Sequence, residues 1–281
     1  MEGKAVLSQN NMPITFSKFA EVLDSFLSFE ISKKSLVSKP QARLEADAVS
    51  CKTGHQDLVT VWDRRTEQFL RQGILSEFPS DAIVGEEYPT VSTAAPEAVW
   101  YIDPIDGTTN FINQHRNYAV SVGCWQGDEP LFGLVLDVEA DRLYHACAGQ
   151  GAWCGKTPLA ASRRKNVSEL LLFTPDVLRT FLQPGPGRQD LLRLAQDVRA
   201  VRSIGSVALE LCAVACGEAD LCVATRSCPW DHNAARIILQ EAGGAIASLN
   251  GAPLPLNEPG TVLAAGSPEA LDLVLKQYGM E

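Results

Sequence analysis

Long apolar runs are missing from this chain of 281 residues. No stretch approaches the ~20 consecutive apolar residues that a helix needs to cross a bilayer, so we expect no membrane partner. The opening residues, MEGKAVLSQNNMPITF, place no charged segment before an apolar core, which argues against a secretory signal. The expected location is therefore the cytoplasm.

Basic residues are in the minority. The 24 lysines and arginines are outnumbered by 34 aspartates and glutamates, which gives a formal net charge of -10. Such a surface disfavours a nucleic-acid backbone, so no nucleic-acid partner is expected. An anionic substrate stays compatible with this charge if bound cations reverse the sign locally.

The cysteine and histidine spacings of common metal sites are also missing. None of the eight cysteines forms Cys-x-x-Cys, and several lie in apolar runs such as LCAVACGEADLCVA. Reduced and mostly buried thiols are therefore predicted in place of a zinc site. The four histidines lack metal-ligand spacing, and none is expected to act in catalysis.

Apolar residues recur at helical spacing in the first part of the chain. They predict one helix over residues 14–31 and a second over residues 58–75, with Asp63 as the candidate N-cap. The runs AIVGE (82–86) and AVWYI (98–102) are short and apolar, and each leads into acidic residues. The second of these runs predicts a buried strand.

The pattern changes between residues 118 and 153. Short strand-like runs alternate there with GDEP, EAD and GQG, which is typical of an antiparallel meander. Beyond the loop sequence QPGPGRQ (183–189), helical and strand patterns alternate, and Asp231 is the candidate cap of DHNAARIILQEAGG. We therefore predict an α/β chain of the layered α+β type. It would be a single domain (1–281) with an α+β half (about 1–160) and an α/β half (about 161–281).

Two aspartates lie three residues apart in WYIDPIDGTTNF (100–111). Pro104 biases Asp103 toward an extended backbone at the strand end. Gly107 after Asp106 permits a tight turn, and TTNF can begin a helix whose free N–H groups attract an anion. Clustered acids repel one another unless a hard cation lies between them, and Mg²⁺ prefers such oxygen ligands. An ordinary Asp-Gly turn is the alternative interpretation.

Two more acidic sites share this context. GEE (85–87) ends an apolar run, and PWD (229–231) begins a helix after a strand. Two Mg²⁺ ions roughly 4 Å apart can activate a water, bind phosphate oxygens and stabilise a leaving oxygen. Each site alone is more readily structural, but their joint occurrence favours a metal pair.

Together the segments KTGHQDLVTVWD, GEE, DPIDGTTNF, RSIGS and WDHNAARIILQEAGG resemble the inositol monophosphatase family. This family belongs to the magnesium-dependent, lithium-sensitive phosphatases, with the fructose-bisphosphatases and bisphosphate nucleotidases. The resemblance runs from about residue 50 to 265. It implies an αβαβα sandwich of the sugar-phosphatase type, a homodimer, and a small phosphorylated substrate hydrolysed as a phosphate monoester.

The resemblance also implies a metal site. Two or three Mg²⁺ ions would be held by four carboxylates and one backbone carbonyl, those of Glu86, Asp103, Asp106, Asp231 and Ile105. Asp106 would bridge two ions, while Glu86 and Thr108 would orient the attacking water. No nucleophilic side chain is needed, because water activated by the metals attacks in line.

Two further residues enter the catalytic set through the resemblance. Asp57 in DLVT would lie outside the direct ligands or at a weaker third metal site, and Lys52 would be a mobile cation near the entry. The backbone N–H groups of Gly107 and Thr108 would bind the phosphate. The implied contacts on the substrate side are Asp106, Gly107, Thr108, Gly205, Ser206, Val207 and Asp231.

The identity of the substrate is less constrained. Family members that act on inositol phosphates usually carry a glutamate a few residues before the WD motif, and an ungapped alignment puts Ala224 there. Losing that acceptor should weaken recognition of a hydroxyl pair by roughly 1–3 kcal/mol if nothing replaces it. Arg226 would bind a second anionic group or lie in solvent.

Several alternatives stay open beside an inositol monophosphate-like ester. Histidinol phosphate and a 3'(2'),5'-bisphosphate nucleotide are alternative substrates, and a regulatory binding protein on the same fold is the non-enzyme alternative. A haloacid-dehalogenase-type enzyme is disfavoured, because it carries a D-x-D-G-T motif near the N-terminus. In this chain the two aspartates are three residues apart and lie past residue 100. A calcium-binding module is disfavoured because the alternating acids of a calcium loop are missing.

Overall fold

A computed structural model of the protein describes residues 49–51, 58–183 and 187–279. The predicted helix over residues 14–31 lies outside these ranges, as do Lys52, Asp57 and part of the predicted 183–189 loop. The described residues form helices packed with mixed β-sheets, which confirms the predicted layered α+β class. The single domain spanning residues 1–281 stays a prediction.

The described residues form strands and helices with the following bounds. The strands are β1 (Val49–Cys51), β2 (Leu58–Thr60), β3 (Ala82–Gly85), β4 (Val99–Asp106), β5 (Ala119–Gln126), β6 (Glu129–Asp137), β7 (Arg142–Cys147), β8 (Ala152–Cys154), β9 (Thr157–Pro158), β10 (Leu171–Phe173), β11 (Ala200–Arg202), β12 (Leu221–Ser227), β13 (Ala245–Ala247) and β14 (Gly260–Ala265). The α-helices are α1 (Val61–Glu77), α2 (Thr108–Gln114), α3 (Val177–Phe181), α4 (Arg188–Asp197), α5 (Val207–Ala215), α6 (Pro229–Glu241) and α7 (Pro268–Tyr278).

The larger sheet has the order β3-β4-β5-β6-β7-β8-β9. Only the β3–β4 pairing in it is parallel, and every later neighbour is antiparallel, as the alternating pattern predicted. The five-stranded sheet has the order β11-β10-β12-β14-β13, with β10 parallel to both of its neighbours. Strands β1 and β2 form a separate antiparallel pair.

Helices α5 and α6 contact strands of both sheets and form a layer between them. The backbone of α6 approaches the larger sheet closely at two glycines. A Cβ atom at Gly123 would lie 2.9 Å from Ala234 N, and one at Gly133 would overlap the Ala234 carbonyl group. Only glycine at these two positions allows the α6 backbone to approach so closely. Strands β5 and β6 therefore determine how close to the sheet α6 lies, together with the aspartate in its first turn.

Two predicted caps are corrected by the structure. Thr60, not Asp63, caps α1: the residues before the helix pair with β1, and Asp63 in the first turn accepts a hydrogen bond from Thr60 N. Cys228, not Asp231, is the N-cap of α6, and Cys228 N donates to Asp231 Oδ2 at 2.7 Å. In both cases the aspartate is the third residue of the helix and accepts a hydrogen bond from the backbone of the N-cap residue. From the sequence alone, such an aspartate is easily mistaken for the N-cap residue.

Candidate active site

The DPID motif ends β4 inside the protein. Asp103 and Asp106 are 2% and 8% exposed, and the pairing of β4 with β5 shifts register between them. The shift breaks the alternation of faces, so two aspartates three residues apart can serve one site. Asp103 Oδ1 accepts a hydrogen bond from Ile105 N at 2.9 Å, which fixes the turn from within.

Asp106 reaches the N-terminus of α5, about a hundred residues further along the chain. Its Oδ2 atom accepts hydrogen bonds from Ser206 Oγ and from Ala208 N, both at 2.6 Å. These are short bonds to a charged acceptor at the positive end of a helix, where an anion is favoured. The structure therefore brings Ser206 and the start of α5, two sequence-predicted elements, directly against Asp106.

The carboxylates of the predicted acids interact electrostatically. Burial raises the pKa of Asp103 well above its usual range, and the charges of Glu86, Asp106, Asp231 and Asp63 raise it further. Burial likewise raises the pKa of Asp231 well above its usual range, with added repulsion from Asp106 and Glu86. The four acids that sequence analysis selected, and a fifth, Asp63, are therefore close enough for their charges to act on Asp103.

The pKa of Asp106 is raised less, to about 6. Burial is again the largest cause, but the bonds from Ser206 and the α5 backbone favour the charged form and oppose it. The hydrogen bonds from Ser206 and the α5 backbone thus oppose burial at Asp106, whereas at Asp103 the neighbouring charges add to burial.

Asp63 is the fifth acid, and sequence analysis treated it only as a cap. It is fully buried and accepts hydrogen bonds from Thr60 N at 2.8 Å, Thr60 Oγ1 at 2.5 Å and Thr108 Oγ1 at 3.1 Å. Burial raises its pKa, whereas the bonds from Thr60 and Thr108 lower it. The signal available in the sequence was the Thr60-x-x-Asp63 spacing, which also fits an ordinary capping box.

Thr108 stands between Asp63 and the DPID turn. Its hydroxyl oxygen is 3.1 Å from Asp63 Oδ1 and 3.1 Å from the Ile105 carbonyl oxygen. A threonine hydroxyl has one hydrogen to donate, so it serves one of these acceptors at a time and keeps lone pairs for a further partner.

Gly107 makes the turn before α2 with φ of +96°, in the left-handed region. A Cβ atom there would lie 3.0 Å from Asn117 O and 3.3 Å from Gly205 O. Gly205 also has a left-handed φ, of +86°. Two loops from different halves of the chain therefore meet at glycines, as the predicted substrate contacts require.

A second residue that sequence analysis missed, Glu210, supports this meeting point. Its buried Oε1 atom accepts hydrogen bonds from Ile204 N at 2.7 Å and Gly205 N at 3.2 Å. Burial raises its pKa to about 8. The only sequence signal was an acidic residue in the otherwise apolar helix SVALELCAV.

The remaining predicted residues are less closely tied to the acids. Ala224 lies on β12, is 1% exposed and packs in the apolar core with Val262. Arg226 on the same strand is exposed. Lys52 and Asp57 lie outside the described residues, so their predicted roles stay predictions.

The donor set suits a hard divalent cation, because it consists of carboxylate oxygens and the Ile105 carbonyl oxygen. Within the described part of the chain, no three His, Cys, Asp or Glu side chains form a ready-made group around one point. Mg²⁺ does not require one, since it is usually held by one or two carboxylates with waters and substrate phosphate oxygens. The mutual repulsion of five acids supplies the negative field that such an ion would neutralise.

Comparison with known proteins agrees with this geometry. The model of the "Inositol monophosphatase family" matches residues 17–278. The inositol-1-monophosphatase of Bacillus subtilis (strain 168) is 37% identical over 241 residues, 85% of this chain and 89% of that protein. Inositol monophosphatase 1 of Mus musculus is 34% identical over 220 residues, 74% and 77% of the two chains.

Solved structures give the same result. The crystal structure of inositol monophosphatase II from Staphylococcus aureus MSSA476 superposes with a TM-score of 0.79 at 29% identity, over 94% of this chain and 95% of that chain. The crystal structure titled "Inositol monophosphate bound SaIMPase-II" superposes with a TM-score of 0.77 at 28% identity, over 92% and 93%. Among the described residues, no helix has the length and apolarity of a membrane span.

Proposed function

The chain belongs to the inositol monophosphatase family and is a phosphoric monoester hydrolase, and we propose that it hydrolyses an inositol monophosphate-like ester with the help of Mg²⁺. The proposal is supported chiefly by the set of mutually repelling acids: the charges of Glu86, Asp106 and Asp231 raise the pKa of Asp103. A protein without a cation at this place would gain nothing from burying these charges together.

We assign the metal site to Glu86, Asp103, Asp106, Asp231 and the carbonyl of Ile105, which would hold two or three ions. When bound, Mg²⁺ supplies positive charge that acidifies a water and neutralises phosphate oxygens. Asp106 is prepared for such a role, because Ser206 and Ala208 occupy its Oδ2 atom and favour its charged form.

Proton handling falls to Thr108 and Asp63. The Thr108 hydroxyl can donate to Asp63 and accept a hydrogen bond from the attacking water through a lone pair. Asp63 is buried with a raised pKa, and a carboxylate with a raised pKa is the better base near neutral pH. Asp63 thus joins Glu86 and Thr108 in orienting the water. The proton of the water passes to Thr108 Oγ1 while the Thr108 hydroxyl proton passes to Asp63.

Phosphate binding falls to the start of α2. Gly107 has no side chain with which to cap that helix, so the N–H groups of Gly107 and Thr108 face a ligand instead. Gly205, Ser206 and Val207 would continue the substrate side. In the proposal Asp57 and Lys52 keep their predicted places, near a weaker metal site and near the entry.

The names of the relatives and two residues of β12 bear on the alcohol to which the phosphate of the substrate is esterified. Several relatives are named inositol monophosphatases, which favours an inositol phosphate. One solved neighbour at 28% identity is titled "Crystal structure of 2'AMP bound SaIMPase-II", which favours testing nucleotides as well. Ala224 replaces the hydroxyl-binding glutamate, and the exposed Arg226 would suit a second anionic group, such as the second phosphate of a bisphosphate nucleotide.

Phosphate release from inositol, histidinol and nucleotide phosphates, with and without Mg²⁺, tests the proposal. We expect hydrolysis that a chelator abolishes and that Asp103→Asn reduces to near background. Activity that survives chelation or Asp103→Asn would overturn the proposal. A regulatory binding protein on this fold would instead release no phosphate from any of these esters.

A cytoplasmic homodimer completes the proposal. The seven cysteines from Cys124 to Cys228 are free thiols, which fits a reducing compartment. The homodimer rests on family resemblance alone, and sedimentation equilibrium of the purified chain checks it.

A further inference from the structure

Helix α1 carries a second set of buried charges, Glu67 and Arg71. Their exposed fractions are 0% and 8%, and Arg71 Nε donates to Glu67 Oε1 at 2.7 Å. Glu67 also lies four residues after Asp63, so all three side chains share one face of the helix. A buried ion pair stabilises a fold little by itself, because the loss of hydration offsets the attraction between the charges. The hydrogen bonds that this pair makes to other groups are therefore the more informative feature.

Glu67 binds the chain directly after Glu86. Its Oε2 atom accepts a hydrogen bond from Glu87 N at 2.7 Å, and its Oε1 atom accepts one from Tyr88 N at 3.3 Å. Both donors are backbone groups. Glu67 therefore holds the path of the chain and does not depend on which side chains follow Glu86.

Arg71 binds the same segment through its guanidinium fork. Its two terminal nitrogens donate to Pro89 O and to Tyr88 O, each at 3.0 Å. The guanidinium also lies over the Tyr88 ring, 5.6 Å from its centroid. Since Arg71 is tied to Glu67, the two side chains form one clamp on residues 87–89.

The residue before Glu86 is fitted to the same clamp. A Cβ atom at Gly85 would overlap the Glu67 carboxyl group, at 2.6 Å from its Cδ atom. Glycine at this strand end therefore lets the Glu67 carboxylate pack against the backbone. The Glu67 carboxyl group therefore contacts the chain on both sides of Glu86, by packing against Gly85 and by accepting from Glu87 N and Tyr88 N.

We propose that the Glu67–Arg71 pair is a positioning element for Glu86, which holds the backbone on both sides of Glu86 so that its carboxylate faces the Mg²⁺ site. The inference rests on the proposed role of Glu86 as a metal ligand. Outer partners of metal ligands typically affect metal affinity by about 10–100-fold when they are replaced.

Arg71→Lys is the sharpest test, because lysine keeps the charge beside Glu67 but cannot reproduce the two parallel bonds of the guanidinium fork. Calorimetric titration of the chelator-treated protein with Mg²⁺ alone should show about tenfold weaker binding, at the low end of the outer-partner range. Arg64→Lys, the same change on the exposed side of α1, is the matched control and should bind Mg²⁺ like wild type.

Glu67→Gln combined with Arg71→Gln guards against a folding defect. This double variant leaves no unpaired buried charge, so it should fold while losing the fork and the carboxylate. It should show the same weakened Mg²⁺ binding. Its kcat should be restored by excess Mg²⁺ with little change in the substrate KM.

A double-mutant cycle with Glu86→Gln separates positioning from general destabilisation. If the clamp acts through Glu86, Arg71→Lys should weaken Mg²⁺ binding by less than about twofold in the Glu86→Gln background. Losses that multiply, or unchanged Mg²⁺ binding by both clamp variants, would overturn the inference alone. Failure of the wild-type protein to bind millimolar Mg²⁺ would instead overturn the proposed function.

Discussion

The two sides of the acidic site restrain their carboxylates by different means. On the α1 side, side chains hold the site: the hydroxyl groups of Thr60 and Thr108 donate to Asp63, and Glu67 with Arg71 holds the loop after Glu86. On the α5 side, the start of a helix does so, because Ala208 N and Ser206 Oγ donate to Asp106.

This difference has an electrostatic consequence. Asp106, which accepts bonds from a helix N-terminus, keeps a pKa of about 6, whereas Asp103 on the same strand has its pKa raised well above its usual range. We infer that the start of α5 favours the charged form of Asp106, whereas Asp63 on the α1 side exchanges a proton. Substitutions at Asp63, Ser206 and Glu210 test that division.

Asp63→Asn should cause the largest loss. Asparagine cannot take up a proton, and its amide group would face the donors of Thr60 and Thr108. We expect kcat to fall by about 10²–10⁴-fold, the usual contribution of a general base. Steady-state kinetics at saturating Mg²⁺ measures this change.

Asp81→Asn is the matched control for that variant. Asp81 is another buried aspartate, which accepts hydrogen bonds from Ala98 N and Trp100 Nε1 near the opposite end of β4. Its replacement should lower stability but leave kcat and its pH profile close to wild type. Equal kcat losses in both variants would remove the catalytic assignment of Asp63.

Ser206→Ala should have an intermediate effect. The variant loses the 2.6 Å bond to Asp106, a bond to a charged group that is worth about 1.5–3 kcal/mol. The pKa of Asp106 should then rise, so the acidic limb of the pH–rate profile should move to higher pH and Mg²⁺ binding should weaken by about tenfold or more.

Ser267→Ala provides the comparison, because Ser267 caps α7 as Ser206 caps α5 but bonds to the exposed carboxylate of Glu269 instead of a buried aspartate. Both variants should lose about 1 kcal/mol of stability from the missing cap. Only Ser206→Ala should shift the pH–rate profile. A shift in both, or in neither, would contradict the role of the α5 terminus in holding Asp106 charged.

Glu210→Gln should have the smallest effect on activity and is best followed through stability. Burial raises the pKa of Glu210 in the folded protein to about 8 from an ordinary value of 4.5, so the folded state holds its proton over this window while the unfolded state releases it. The stability from this group is therefore present below pH 4.5 and is lost as the pH rises toward about 8.

Urea unfolding in the presence of a chelator, from pH 5 to 8.5, measures this contribution. Glutamine does not titrate and can still accept the bonds from Ile204 N and Gly205 N, so the variant should lose less stability with rising pH than wild type. The other raised acids keep part of the slope in both proteins. Identical slopes would show that Glu210 is not protonated in the folded state.

Local patterns predicted much of this fold. The meander from β5 to β8 follows from alternation and turn residues, and the start of α2 follows from Gly107 and the donors after it. Asp103, Asp106 and Asp231 were predicted as metal ligands because each lies near the end of a strand or the start of a helix. The misassigned caps at Asp63 and Asp231 arise because a third-position aspartate and an N-cap aspartate leave similar sequence traces.

The supporting residues could not be predicted in the same way. Glu67, Arg71 and Glu210 look like ordinary helix residues, and their partners lie on other elements. Gly85 and Gly123 are required by the approach of Glu67 and of α6 respectively, which only the assembled layers produce. Long-range packing therefore determines how the acids are held, whereas local sequence determines where they occur.

If the buried acids form one cation site, Mg²⁺ binding should release protons from them. Carboxylates with raised pKa values must lose their protons when a cation binds between them. Calorimetric titrations near pH 6.5 in buffers of different ionisation enthalpy should reveal net proton release that Asp103→Asn reduces. Mg²⁺ binding without proton release, or with the same release in Asp103→Asn, would contradict a single cation site.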